Sequence, residues 1–176
     1  MNTGLIHLYI GEGKGKTTAA VGLAARAAGS GKKVVFGQLL KGQLTGEVAS
    51  LEALGVKVIR TDKDQGFVWQ MNEEQLEECR KEQVRLFKEI WDNTIFSEPG
   101  IDLLVADESL DVLFLGLLEE QMIRDVLEKK PEGLEIVCTG RQAPEWMFEL
   151  ADYVTEMKKI KHPYDRGVGA REAIEY

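Results

Sequence analysis

Short apolar runs alternate along this chain with longer stretches whose apolar positions recur at helical spacing. "GLIHLYI", Gly4 to Ile10, is rich in β-branched and large apolar residues and stops at a glycine-rich segment, which predicts a buried first strand. From Lys16, "KTTAAVGLAARAAG" is alanine-rich and predicts a helix ending at Gly29, with a glycine just past its end. "KKVVFGQLL" (Lys32 to Leu40) and "VKVIRT" (Val56 to Thr61) predict two further strands, joined by part loop and part short helix. Asn72 is the expected N-cap of a helix running to about Phe96. Its apolar positions Leu76, Cys79, Val84, Phe87, Ile90, Trp91 and Ile95 keep near-helical spacing, which puts Trp91 on the core face.

"IDLLVADE", Ile101 to Glu108, is a continuous apolar run closed by two acids, the pattern of a central parallel strand whose carboxyl end opens on a site. A helix over Glu119 to Lys129 and a strand at "LEIVCTG" follow; "APEWMFELAD" places Pro144 in a first helical turn, and "YVTEMKKIKH" reads as a last strand. Strands alternating with helices predict one α/β domain over residues 1–176, with a mostly parallel sheet of about six strands and its ligand at the carboxyl edge.

Composition narrows the function. The chain is 44% hydrophobic and 30% charged with four prolines, an ordinary globular balance. A net charge of −8 argues against a general nucleic-acid or anionic-membrane surface and leaves room for a small anionic ligand held by a few local cations. Cys79 and Cys138 lie far apart with no nearby His to complete a zinc set, so both are expected to pack rather than ligate. The N-terminus has no basic region or small-residue cleavage site, and the run Val112 to Leu118 is too short to span a bilayer. A cytoplasmic protein without membrane contact is expected.

"IGEGKGKTT" carries the chemistry. Gly15-Lys16-Thr17 is the closing half of a phosphate-binding loop, but the position five before Gly15 is Ile10, so the loop is one residue short of the common G-x-x-x-x-G-K-[ST] spacing. Lys14 and Lys16 offset phosphate charge, the amides of Gly13 to Thr17 are expected to face the same oxygens, and the following helix adds its positive end. Three other groups fall at carboxyl ends of predicted strands: Gln38 with Lys41-Gly42, Asp107-Glu108, and Thr139-Gly140-Arg141. Thr17 and one of the two acids are the natural Mg²⁺ partners. Blander readings stand beside these: the glycine run as a plain turn, Arg26 on a solvated face, His162 as a cap or packing residue, His7 as structural. Phe67 and Trp69 in "QGFVWQMN" either close over the core or reach a flat ligand at the mouth of the site.

Nearly end to end, the chain resembles the ATP:corrinoid adenosyltransferases of the P-loop class, those called CobA, BtuR or CobO. The resemblance rests on "GEGKGKTTAA" with its shortened loop, "QLLKG" followed by "GE", "GFVWQMN", "LLVADE", "TGRQAPEWMFELADYVTEMKKIKHPYDRGV" and the closing "IEY". It implies a RecA-like P-loop NTPase-type domain with helices on both faces of the sheet. It also implies transfer of the 5′-deoxyadenosyl group of ATP to the cobalt(I) of a reduced corrinoid, cobalamin or a precursor such as cobyrinic acid a,c-diamide, leaving triphosphate, with Mg²⁺ as cofactor. An electron donor such as a reduced flavoprotein and a homodimer are implied partners.

Carried over by motif, Gly11, Glu12, Gly13, Lys14, Gly15, Lys16, Thr17 and Thr18 hold the triphosphate, joined by Arg26, Arg141 and His162 on ATP. Lys16 and Arg141 act catalytically by neutralising the departing triphosphate, and Thr17 and Glu108 bind Mg²⁺. Phe67 and Trp69 match the aromatic pair that, in the family, occupies the lower face of the corrinoid and displaces its axial base. Glu12 stands where asparagine is common, which implies a side chain turned away from phosphate, and Ala173 replaces a frequent glycine. Two other readings compete: a non-catalytic ATP-gated corrinoid carrier, and a RecA-like ATPase or small-molecule kinase.

Overall fold

The computed structural model describes residues 3–42, 45–63, 66, 68–96 and 100–175. Six strands, β1 (Ile6–Ile10), β2 (Val34–Gln38), β3 (Lys57–Arg60), β4 (Leu103–Asp107), β5 (Glu135–Thr139) and β6 (Tyr153–Glu156), form one sheet in the order β3-β2-β4-β5-β1-β6. Every pairing is parallel. The helices are α1 (Lys16–Gly29), α2 (Gly46–Ala53), α3 (Glu73–Ile95), α4 (Ser109–Phe114), α5 (Glu120–Glu128) and α6 (Glu145–Leu150).

Alternation along the strands sends side chains into two layers. Val34, Phe36, Leu103, Val105 and Val137 meet Ala20 and Ala24 of α1 and Leu51 of α2. Ile6, Leu8, Val35, Leu104 and Ile136 meet Leu86 and Ile90 of α3, Leu110 of α4, Ile123 of α5 and Met147 of α6. Both faces are therefore covered, which is why the strands read as unbroken apolar runs. The buried alanines one turn apart on α1 let that helix sit close to the sheet, so the glycine loop and helix start rise directly from β1.

Asn72 and Gln75 form a reciprocal capping box at the start of α3, at 2.9 and 3.0 Å, a device worth about 1 kcal/mol. The core face of α3 also carries polar groups. Gln83 is fully buried, and Glu82 accepts the Thr61 hydroxyl at 2.8 Å. Glu82 also receives hydrogen bonds from Arg85, which hold its carboxyl down at about 2 against the opposing effect of burial.

Several boundaries differ from the sequence reading. Gly29 is the last residue of α1 and Ser30 caps it; the left-handed turn belongs to Gly31 at φ 77. Pro144 is the N-cap of α6, one position before the first turn. The last strand ends at Glu156, where its ladder with β1 ends at Ile10 and, among the described residues, no other strand continues it. The apolar run after Glu108 forms α4, an element absent from the sequence reading. Cys79 and Cys138 are both buried in the core, as expected of packing residues. Among the described residues, no helix is long and apolar enough to cross a membrane.

Candidate active site

The glycine loop joins β1 to α1 and is held from two sides. The Gly11 amide donates to the Arg141 carbonyl at 2.9 Å and the Gly13 amide to the Met157 carbonyl at 2.6 Å. A Cβ at Gly11 or Gly13 would lie 2.6 or 2.4 Å from the Met157 oxygen, so close backbone approach, and not turn flexibility alone, demands these glycines. The Lys16 ammonium donates to the Gly11 and Gly13 carbonyls at 2.6 and 3.0 Å. Because Gly13 spends its amide on Met157, it does not belong with the anion-facing amides the sequence reading assigned to Gly13–Thr17. The first turn of α1, Lys16 to Thr18, has amides without intrahelical partners and no acidic residue to oppose an anion.

Asp107, fully buried at the end of β4, is the hub of the site. Its Oδ1 accepts from the hydroxyls of Thr17 at 3.0 Å and Thr139 at 2.7 Å, and its Oδ2 accepts from the Lys41 ammonium at 2.7 Å. The strand order explains the arrangement: β5 lies between β1 and β4, so Thr139 bridges the loop side to the acid side. Thr139 Oγ1 also accepts the Glu108 amide at 2.9 Å. Burial lowers the Lys41 pKa, but the charge and hydrogen bond of Asp107, with the charges of Glu108 and Glu47, together outweigh it and hold the ammonium above its usual value.

Glu108 N-caps α4 in the left-handed region, φ 64. Burial, then the charge of Asp107 and a hydrogen bond with Asp111, push its carboxyl up to about 8. Gln38 stands in register with Asp107, and its Nε2 donates to Glu47 at 2.8 Å. Its buried Oε1 has no hydrogen-bond partner among the described residues. A hydroxyl, two carboxyls and an orphaned amide oxygen are the hard oxygen donors that suit Mg²⁺, directly or through its bound water.

The remaining sequence candidates fall in different places. Arg141 is exposed beside the loop, its amide donating to Asp111 Oδ1 at 3.1 Å. Glu12, Lys14 and Thr18 are exposed on the loop and helix start, in keeping with a Glu12 side chain turned outward. Arg26 is exposed in the last turn of α1, about 15 Å along the axis from Lys16, so this chain does not bring it to the loop. His162 caps the short 3₁₀ turn Pro163–Arg166, its Nδ1 accepting the Tyr164 amide at 3.2 Å. Trp69 sits in the 3₁₀ turn Val68–Gln70 with 74% of its surface exposed, so it does not close over the core. Phe67 lies outside the described residues. His7 bonds Glu135 at 2.6 Å and lies against Tyr153, a structural role.

The sequence reading grouped Lys41 and Thr139 with the site but gave them no role, and it missed Asp111 and Met157. Asp111 had a usable signal, an acid one helical turn beyond Asp107; Met157 acts through its backbone and had none.

A family model described as ATP:corrinoid adenosyltransferase BtuR/CobO/CobP matches residues 2–176. The corrinoid adenosyltransferase of Escherichia coli (strain K12) is 35% identical over 180 residues, covering 98% of this chain and 86% of that protein. Corrinoid adenosyltransferase CobA of Salmonella typhimurium is 34% identical, with 98% and 86% covered, and the corrinoid adenosyltransferase of Pseudomonas aeruginosa is 32% identical, with 98% and 84% covered. Matched in this way from its second residue to its last, with a six-stranded parallel sheet bearing the shortened glycine loop, the chain belongs to the ATP:corrinoid adenosyltransferase family.

Proposed function

We propose that this protein transfers the 5′-deoxyadenosyl group of ATP to the cobalt of a reduced corrinoid and releases triphosphate. The observation that carries the reading is the set of cations and donors gathered at one helix start: Lys16 on the loop, Lys41 on Asp107 and the amides opening α1, with the backbone of Arg141 tied to Gly11. These groups suit the stabilisation of a polyphosphate leaving group. In the reaction the cobalt(I) electron pair forms the Co–C5′ bond, the C5′–O bond breaks, and its electrons leave on the triphosphate oxygen. No general base is required, so the chain's task is to align the three centres and exclude water.

Gly11 to Thr18 would cradle the triphosphate, Gly13 by holding the loop to Met157 and not by its own amide, with Lys14, Lys16 and Arg141 neutralising the charge that develops on it. Thr17 and Glu108, together with Asp107, would hold Mg²⁺, which would supply further neutralisation when bound. Trp69, with Phe67, would lie against the lower face of the corrinoid; the large exposed ring of Trp69 supports this. Arg26 would reach nucleotide only through a rearrangement or a second subunit, and His162 would serve by shaping the 3₁₀ turn. One continuous sheet supports reading residues 1–176 as a single domain. A cytoplasmic homodimer fed by a reduced flavoprotein completes the proposal.

The test is to mix the protein anaerobically with MgATP and chemically reduced cob(I)alamin, following the visible spectrum and the nucleotide products. Adenosylcobalamin with intact triphosphate is expected. Sustained orthophosphate release from ATP without corrinoid would overturn the reading.

A further inference from the structure

Lys41 reaches the site from an unusual piece of backbone. Leu40 has φ 60, and the Lys41 amide donates to the Leu39 carbonyl at 2.8 Å, a γ-turn with a left-handed leucine at its centre. Leucine is strained there, and strain of this kind persists where neighbours impose it. The neighbours are identifiable. Fully buried Gln83 of α3 accepts the Leu40 amide at 3.1 Å, and Arg60 donates to the Gly42 carbonyl at 3.0 Å. Between these anchors the Lys41 ammonium points at Asp107 Oδ2 (2.7 Å) and Thr17 Oγ1 (3.4 Å), with Glu47 Oε1 at 4.0 Å.

Thr17 therefore directs its hydrogen at Asp107 and a lone pair at a cation. We propose that Lys41 is an internal stand-in for the divalent cation, holding the position between the Thr17 hydroxyl and the Asp107 carboxylate and yielding it when Mg²⁺ arrives with nucleotide. This rests on the reading that the site binds a nucleotide with Mg²⁺. A monovalent and a divalent cation within 4 Å repel too strongly inside a protein to share one pair of oxygens. An Asp107 with no cation would be a buried uncompensated charge, so Lys41 keeps the site folded. Its flexible four-carbon stem can then swing to a phosphate oxygen. Mg²⁺ alone competes poorly with this tethered ammonium; Mg²⁺ carried by triphosphate brings negative charge that both cations can share. The orphaned Gln38 Oε1 beside Asp107 is suited to accept from water on the incoming cation.

The experiment is calorimetric and EPR titration with Mn²⁺, without nucleotide, of the wild type, Lys41→Met and Lys41→Gln. Gln retains a hydrogen bond to Asp107, so it serves if the Met variant does not fold. Weak Mn²⁺ binding by the wild type and affinity at least about tenfold higher in a folded variant are expected. A melting temperature raised by Mn²⁺ alone in the variant, and not in the wild type, should accompany it. Tight nucleotide-free Mn²⁺ binding by the wild type, or no gain in either variant, would overturn the proposal. Separate titration of the wild type with MnATP tells the two readings apart: no binding there counts against the nucleotide site itself, whereas normal MnATP binding with no gain in the variants counts against Lys41 alone.

Discussion

The amide of Gly13 donates to the carbonyl of Met157 at 2.6 Å, tying the glycine loop to the chain that leaves β6. A methyl group at residue 13 would sit 2.4 Å from that same oxygen. Gly13→Ala is therefore expected to lose about 1–3 kcal/mol of stability, the usual range for forced overpacking. It should also weaken ATP binding, because the loop must shift. Gly22→Ala is the control: nothing lies within 4 Å of a Cβ there, and a helix gains about 0.5–1 kcal/mol from the change. Denaturant melts and ATP calorimetry of the two variants check the contrast; equal behaviour would mean that the tie to Met157 does not shape the loop.

Trp69 offers the opposite pattern. With 74% of its surface exposed, Trp69→Ala should change stability by under about 0.5 kcal/mol. Adenosylation that starts from cob(II)alamin with a reductant should fail, while chemically prepared cob(I)alamin should still be used. A large fall in melting temperature, or unchanged use of cob(II)alamin, would reject the role proposed for this ring.

Glu108 links stability to pH. Its carboxyl is raised from 4.5 to about 8, so the native protein keeps a proton that the unfolded chain has released across that window. Stability should fall as pH rises through it, because the native state binds more protons than the unfolded one. Glu108→Gln removes the ionisation and should stabilise the protein at pH 8 by on the order of 1 kcal/mol, with little effect near pH 4.5. The same variant should lose activity at low Mg²⁺. Melts across pH, with and without the substitution, check the sign.

Ala173 adopts φ 63, a left-handed position in which glycine is unstrained. Ala173→Gly should therefore gain up to about 1 kcal/mol locally. Hydrogen exchange at Glu175, whose amide donates to the Arg171 carbonyl at 2.9 Å, is the sensitive readout and should slow. Hydrogen bonds from Arg171 hold the Glu175 carboxyl down at about 2, which ties the two ends of this last turn together.

Much of this arrangement was legible because the apolar runs and the loop carry local signatures. The strand, glycine loop and helix from Ile6 to Gly29 needed only pattern and turn chemistry. Asn72 announced α3 by its side chain. What stayed hidden depends on partners distant in sequence. Nothing near Lys41 reveals that Gln83, forty-two residues later, will bend Leu40 so that the ammonium meets Asp107. A motif match nominated Arg26, but the rise of α1 carries it away from the loop. Thr139 was visible as a strand end, yet its bridging position depends on the strand order, which apolar runs do not encode.

The placement of β5 between β1 and β4 governs when the protein first becomes competent during its own synthesis. The loop arises near the amino terminus, but β1 finds its sheet neighbours only in β5 and β6, more than a hundred residues downstream. Until Thr139 docks, the Thr17 and Asp107 halves have no strand to join them. A nascent chain on the ribosome, even with its glycine loop already outside the tunnel, should have little grip on nucleotide until the segment through Met157 has emerged, so folding is late and governed by distant contacts.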